Sequence, residues 1–139
     1  MDSLLTLLYE PLPGGRDGLA LLLLRVLIGM AFVFHGYGKV TGIAAFMAEF
    51  QMPRGVAVFA AYAQLAAGAL LVVGLGTPLA AATIAGTMAV ATGKLHGRGE
   101  PWISPHGHSY EASLFYLVAS VAVALLGPGA YSLDALWRV

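Results

Sequence analysis

The residues able to do chemistry in this sequence are few, and most sit in apolar surroundings. Arg25 and His35 lie within the apolar stretch Gly18–Gly38, and Gln64 interrupts another. His96 closes a third such stretch, and Glu111 opens a fourth. Arginine, histidine and glutamine offer hydrogen-bond donors to a ligand oxygen, and histidine or glutamate can also move a proton. Ionisable groups are costly inside an apolar span, so each marks a candidate site. Arg25, Ile28, Phe32, His35 and Lys39 are separated by three or four residues, which puts them in one line along a helix. His106 and His108 form a His-x-His pair in a Gly/Pro-rich loop, a weak zinc candidate together with Glu111. His35 and His96 supply the minimum for a bis-histidine haem. Neither spacing is diagnostic, so no metal site and no covalent cofactor are expected. There are no cysteines, so the chain has no disulfide, iron–sulfur or thiol chemistry of its own.

These groups need elements to hold them, and the composition says what kind. Hydrophobic residues are 59% and charged residues 10%, against roughly 25% charged in soluble chains. The mean hydropathy is +0.82. Lipid is the expected solvent, which excludes a cytosolic globular enzyme, a disordered tail and a coiled coil. Lys+Arg and Asp+Glu are each 7, so no basic excess exists to hold a nucleic acid. The first fifteen residues carry no Lys or Arg, unlike a secretory signal. The Leu-rich run Ser3–Tyr9 is too short to span and reads as an interfacial helix within an N-terminal segment, residues 1–17.

A helix needs about 20 apolar residues to cross a bilayer core. Four stretches approach this, at about 18–38, 56–73, 78–95 and 110–126. Gly55–Gly93 carries no charge and is too long for one helix, so Gly74–Thr77 is read as a tight turn, with Pro78 in the next helix's first turn. The expected fold is all-α, a four-helix transmembrane bundle running up-down-up-down over residues 18–136. The loop Lys39–Gly55 holds Phe46, Met47, Phe50 and Met52, which suggests a short amphipathic helix at the interface. Small residues at Ala60 and Gly68, and at Ala81, Ala85, Ala89 and Gly93, predict close packing of the second span on the third. Lys39, Arg54, Lys94 and Arg98 lie at the loop side and Arg16 and Arg138 at the other, which favours termini outside the cytoplasm. On this assignment His35, Gln64, His96 and Glu111 converge at the loop-side end, with Arg25 deeper beneath them. Glu111 would accept from His96 or Lys94, Gln64 would bridge to His35, and Phe32, Met88 and Phe115 would line the space further in.

The order of motifs resembles the DoxX family of small four-helix integral membrane proteins. The matching features are Leu24-Arg25, Phe34-His35-Gly36 and Lys39, then Gln64, Gly68 and Gly74-Leu75-Gly76-Thr77. Met88 and His96 follow, then Glu111 and the string Gly127-Pro128-Gly129-Ala130-Tyr131-Ser132-Leu133-Asp134. Two positions depart from the pattern. The family often has Glu where Gln64 stands, and Arg in the turn where Thr77 and Pro78 stand. The first departure removes a carboxylate that could partner Arg25 or His35 and move protons. Some members resemble membrane subunits of a thiosulfate:quinone oxidoreductase, and others are implied in complexes that handle oxidative and thiol stress. The resemblance thus implies a plasma-membrane, multi-pass bundle that meets quinone in the bilayer and docks a redox partner protein.

Three functions follow as expectations. The first is a membrane subunit of a quinone-linked oxidoreductase, with Arg25, His35, Gln64, His96 and Glu111 as headgroup ligands. The second is a non-catalytic lipid- or isoprenoid-binding scaffold. The third is a small transporter, for which the broken spans and inverted repeat that would support it are missing. The lipid bilayer is a partner in all three, and a homo-oligomer is compatible with each.

Overall fold

The computed structural model describes residues 11–137. They are all-α, with no strand among them. Helix α1 runs over Gly15–Thr41, α2 over Ile43–Phe50, α3 over Arg54–Val73, α4 over Thr77–Gly97, α5 over Glu111–Leu126 and α6 over Leu133–Leu136. The interfacial helix expected at Ser3–Tyr9 lies outside the described residues. The helix expected in the loop after the first span is α2. It is set off from α1 by Gly42 and ended by Gln51, which adopts the left-handed conformation at φ 49°.

Helices α1 and α3 are each long and apolar enough to cross a membrane, and α5 is apolar but shorter. At 1.5 Å per residue, α1 is about 40 Å long, longer than a bilayer core of about 30 Å. It begins before Asp17 and continues past Lys39, so the charges that bound the apolar stretch do not end the helix. The turn between α3 and α4 forms where expected. Gly74 and Gly76 both take positive φ, 73° and 57°, which an L side chain rarely adopts. Gly74 and Leu75 donate back to the Leu70 carbonyl, closing α3.

One apolar core joins α1, α3, α4 and α5 through Leu21, Ile28, Phe32, Leu71, Ile84, Met88 and Val123. A second, smaller cluster sets Phe46 and Phe50 of α2 on Ala57 and Ala61 of α3. Large apolar side chains also face outward from the long helices: Leu27 and Phe34 from α1, Phe59 from α3, Leu79 from α4, and Phe115 and Leu125 from α5. An outer surface that apolar is suited to lipid and not to water.

The tightest helix pair differs from the one the small residues suggested. Gly68 does not face α4. A Cβ added there would lie 2.7 Å from the Val33 nitrogen and 2.8 Å from the Gly29 carbonyl oxygen, both on α1. Gly29 and Gly36 of α1 meet α3 the same way, Gly36 at 2.6 Å from the Leu65 nitrogen. The α1–α3 pair is therefore in backbone contact, and small residues on both helices make that possible. On α4, Ala81 and Ala85 are buried, but Ala89 and Gly93 face outward, so that stripe packs along only half its length. The rule for small residues held, but a one-sided stripe does not say which neighbour it serves.

Candidate ligand-binding site

The close approach of Gly36 to Leu65 sets the register of antiparallel α1 against α3, and this brings Lys39 opposite Gln64. Gln64 is buried at 2% exposure, and its side-chain oxygen accepts a hydrogen bond from Lys39 Nζ at 2.7 Å. The same ammonium lies 4.7 Å from the centroid of the Phe46 ring, a cation–π contact. The pair borders a cavity of about 200 Å³ between α2, α3 and α4. Phe46 and Phe50 line it from α2, Val56 and Ala60 from α3, and Gly86, Thr87 and Val90 from α4. Val56 and Val90 are 54% and 55% exposed, so the mouth opens sideways between α3 and α4.

Helix α2 roofs this cavity and is tied down at its C-terminal end. Lys94 Nζ donates to the Phe50 carbonyl at 2.7 Å, and the Arg98 guanidinium donates to the Glu49 carbonyl. Both cations come from the end of α4 and meet the negative end of the α2 dipole. Arg98 also stacks over the Phe50 ring, 5.7 Å from its centroid.

Arg25 is elsewhere. It is 1% exposed and faces the opposite end of the molecule, beside the α3–α4 turn. Its guanidinium donates to the Pro128 carbonyl and, at 2.7 Å, to the Tyr131 carbonyl. The same C-terminal string closes on the turn. Asp134 accepts from the Gly76 and Thr77 backbone N–H groups at 2.7 and 2.9 Å, and its own N–H donates to the Gly74 carbonyl. Its carboxylate thus caps the N-terminus of α4 from across the fold. Ser132 caps α6 by accepting from the Ala135 N–H. The Ala130 N–H donates to the Pro13 carbonyl, which ties in the start of the described chain. Arg25 is a clasp for main-chain carbonyls, of which that of the buried Pro128 would otherwise lack a donor. It is not beneath the polar groups of the loop side.

The other expected residues are brought together only in part. Gln64 meets Lys39 and not His35. His35 is exposed, with Nδ1 on the Ala31 carbonyl at 2.7 Å and its ring against Phe32 and Tyr116. His96 is exposed and packs edge-on against Tyr110 at 5.5 Å. Glu111 is exposed at the start of α5, and its side chain makes no hydrogen bond among the described residues; Lys94 reaches α2 instead. Phe115 points outward at 73% exposure, while Phe32 and Met88 belong to the packed core. His106, His108 and Glu111 do not assemble as a metal-binding group among the described residues. The residue the sequence reading left out of the site is Lys39. The available signal was its place on the Arg25–His35 helix line, one turn past His35.

A model of the DoxX family matches residues 20–97, more than half of the chain. The match includes Lys39 and Gln64 and ends before α5 and the C-terminal clasp. No curated protein and no solved structure matches the chain.

Proposed function

The chain belongs to the DoxX family, and from that premise we propose that it is a multi-pass membrane subunit of a quinone-linked oxidoreductase. The proposed site holds a quinone-like headgroup in the cavity between α2, α3 and α4. The observation that carries this is the Lys39–Gln64 pair facing an otherwise apolar space. An ammonium has donors and no acceptor, so Gln64 must turn its oxygen to Lys39 and its NH₂ away. Lys39 keeps two further donors, and the Gln64 NH₂ has no acceptor among the described residues. The Thr87 hydroxyl donates to the Ile84 carbonyl. A donor-rich end on an apolar pocket suits a carbonyl oxygen on an apolar ring, which is what a quinone presents. The isoprenoid tail would leave past Val56 and Val90 into lipid. The chain supplies binding and orientation, and a partner protein exchanges electrons with the quinone.

The topology in this proposal is four spans, α1, α3, α4 and α5, in up-down-up-down order in the plasma membrane. The outward apolar side chains on all four support it. The Lys/Arg count puts the termini outside the cytoplasm, so the headgroup site lies toward the cytoplasmic face.

The test is quinone retention after purification in a mild uncharged detergent. Lys39→Met and Gly86→Leu should lose co-purifying menaquinone or ubiquinone, while His35→Ala and Glu111→Gln keep it. Gly86 suits this test because a Cβ there meets open space, so leucine fills the cavity without touching packed backbone. Retention by both Lys39→Met and Gly86→Leu would remove the site. A lipid-binding scaffold without catalysis is the second reading, favoured by the sideways mouth, which would admit an acyl chain. Phospholipid or isoprenoid in place of quinone in the same preparation would decide for it.

A further inference from the structure

The cavity has a charge as well as a shape, and the charge is not balanced from within. An ion held partly away from water is ordinarily paired, because desolvating a charge with no counter-charge is costly, and Lys39 is half-buried. Lys39 has an uncharged amide as its hydrogen-bond partner. No carboxylate lies within ion-pair distance of it among the described residues, and Glu49, the acid that acts on it, is exposed on α2 and acts from further off. Two other cations approach α2 from the end of α4. Lys94 and Arg98 both reach α2 and satisfy carbonyls, which are dipoles and not counter-charges. Three cations therefore meet around α2, with Glu49 the acid on that helix. Of the three, only Lys39 borders the cavity. The other polar side chains lining the cavity are the Gln64 amide and the Thr87 hydroxyl.

We infer that the headgroup held against Lys39 and Gln64 is a single oxyanion carried on an apolar body. The inference deepens the site proposed above and rests on the cavity being the ligand site. The oxyanion accepts from Lys39 Nζ and from the Gln64 NH₂, and supplies the counter-charge that Gln64 does not. Two ligand sources share this chemistry: a hydroxyquinone ionised at neutral pH and a long-chain carboxylate. A cavity of about 200 Å³ takes only the headgroup and the first part of the body, with the rest outside the mouth.

The experiment uses the full chain in uncharged detergent and compares matched pairs of probes by native mass spectrometry and competition binding. One pair is 2-hydroxy-1,4-naphthoquinone against 1,4-naphthoquinone. The other is palmitate against hexadecanol. Each preference is taken as a ratio to that of Lys39→Met, which cancels partition into the micelle. The anion should bind about tenfold more tightly than its neutral partner, the step from an ammonium–dipole hydrogen bond to an ammonium–oxyanion ion pair. Lys39→Arg should keep the preference. Gln64→Glu should abolish it, because a carboxylate beside Lys39 supplies the missing charge internally. Gly86→Leu should stop binding of both members of a pair. Equal affinity within both pairs, or a preference unchanged in Lys39→Met, overturns the inference. The two proposals fail separately. Neutral naphthoquinone bound through Lys39 with no anion preference leaves the quinone site standing and the oxyanion wrong. Palmitate preferred over hexadecanol, with neither naphthoquinone bound, leaves the oxyanion standing and the quinone wrong. No binding of any probe by the folded wild-type chain sinks both.

Discussion

Replacing Arg25 with methionine should unlock the C-terminal end of the fold and leave the cavity unaffected. Methionine keeps most of the side-chain length and apolar volume but none of the donors. Two hydrogen bonds are lost, to the Pro128 and Tyr131 carbonyls. Pro128 is buried, so its carbonyl is left without water or donor. Bonds to charged groups contribute about 1.5–3 kcal/mol each, and orphaning a buried acceptor costs about 1–3 kcal/mol. The two descriptions overlap, so the expected loss is about 3–5 kcal/mol, two bonds to a charged group with the orphaned Pro128 carbonyl not counted twice. Asp134 would stay on the Gly76 and Thr77 N–H groups, so the loss should be partial unlocking and not global collapse. Arg25→Lys should recover less than half, because one ammonium does not match a two-pronged fork. The assay is thermal unfolding in detergent together with limited proteolysis after α5. A lower melting temperature with new cleavage between Gly127 and Trp137, at unchanged quinone retention, is expected. An unchanged melting temperature with lost retention would refute the clasp and return Arg25 to the ligand.

Gly68→Ala should destabilise by about 1–3 kcal/mol, since its Cβ would sit 2.7 Å from backbone of α1. Gly86→Ala should be neutral or stabilising by up to about 1 kcal/mol, as a helical glycine with open space around it. Equal melting temperatures for the two variants would contradict the α1–α3 contact. Asp134→Ala should cost about 0.5–2 kcal/mol through loss of the α4 cap, and Asp134→Asn less, read by the same melt. For orientation, paired reporters joined after Val139 should give active alkaline phosphatase and a silent cytoplasmic reporter.

The positions of the long helices could be read from the sequence because breakers and apolar runs are local. Gly74-Leu75-Gly76 and Gly127-Pro128-Gly129 end helices through their own backbone preferences, whatever surrounds them. Helix ends were less readable. Asp17 and Lys39 bound the apolar run, but charge does not stop a helix whose hydrogen bonds continue. The site was legible only in part, and Arg25 shows why. Its spacing put it on one helix line with His35, but its partner is a main-chain carbonyl 103 residues away, which no residue type announces. Lys39 looked like the charge that terminates a span. Its inward placement depends on Gly36 seating against Leu65, and a glycine in one helix does not name the residue it meets on another. Gln64 was legible as a buried amide that needs a partner, but not in the partner itself, which is Lys39 and not His35.

A photoreactive quinone mapped by peptide sequencing tests the ligand cavity most directly. An azidoquinone with a short isoprenoid tail, illuminated with the purified chain, should label α2 and the facing stretches Val56–Gln64 and Gly86–Ala91. Excess unlabelled quinone should suppress that labelling, and so should Gly86→Leu. Labelling concentrated at His35, Tyr116 and Glu111, and unaffected by Gly86→Leu, would contradict it.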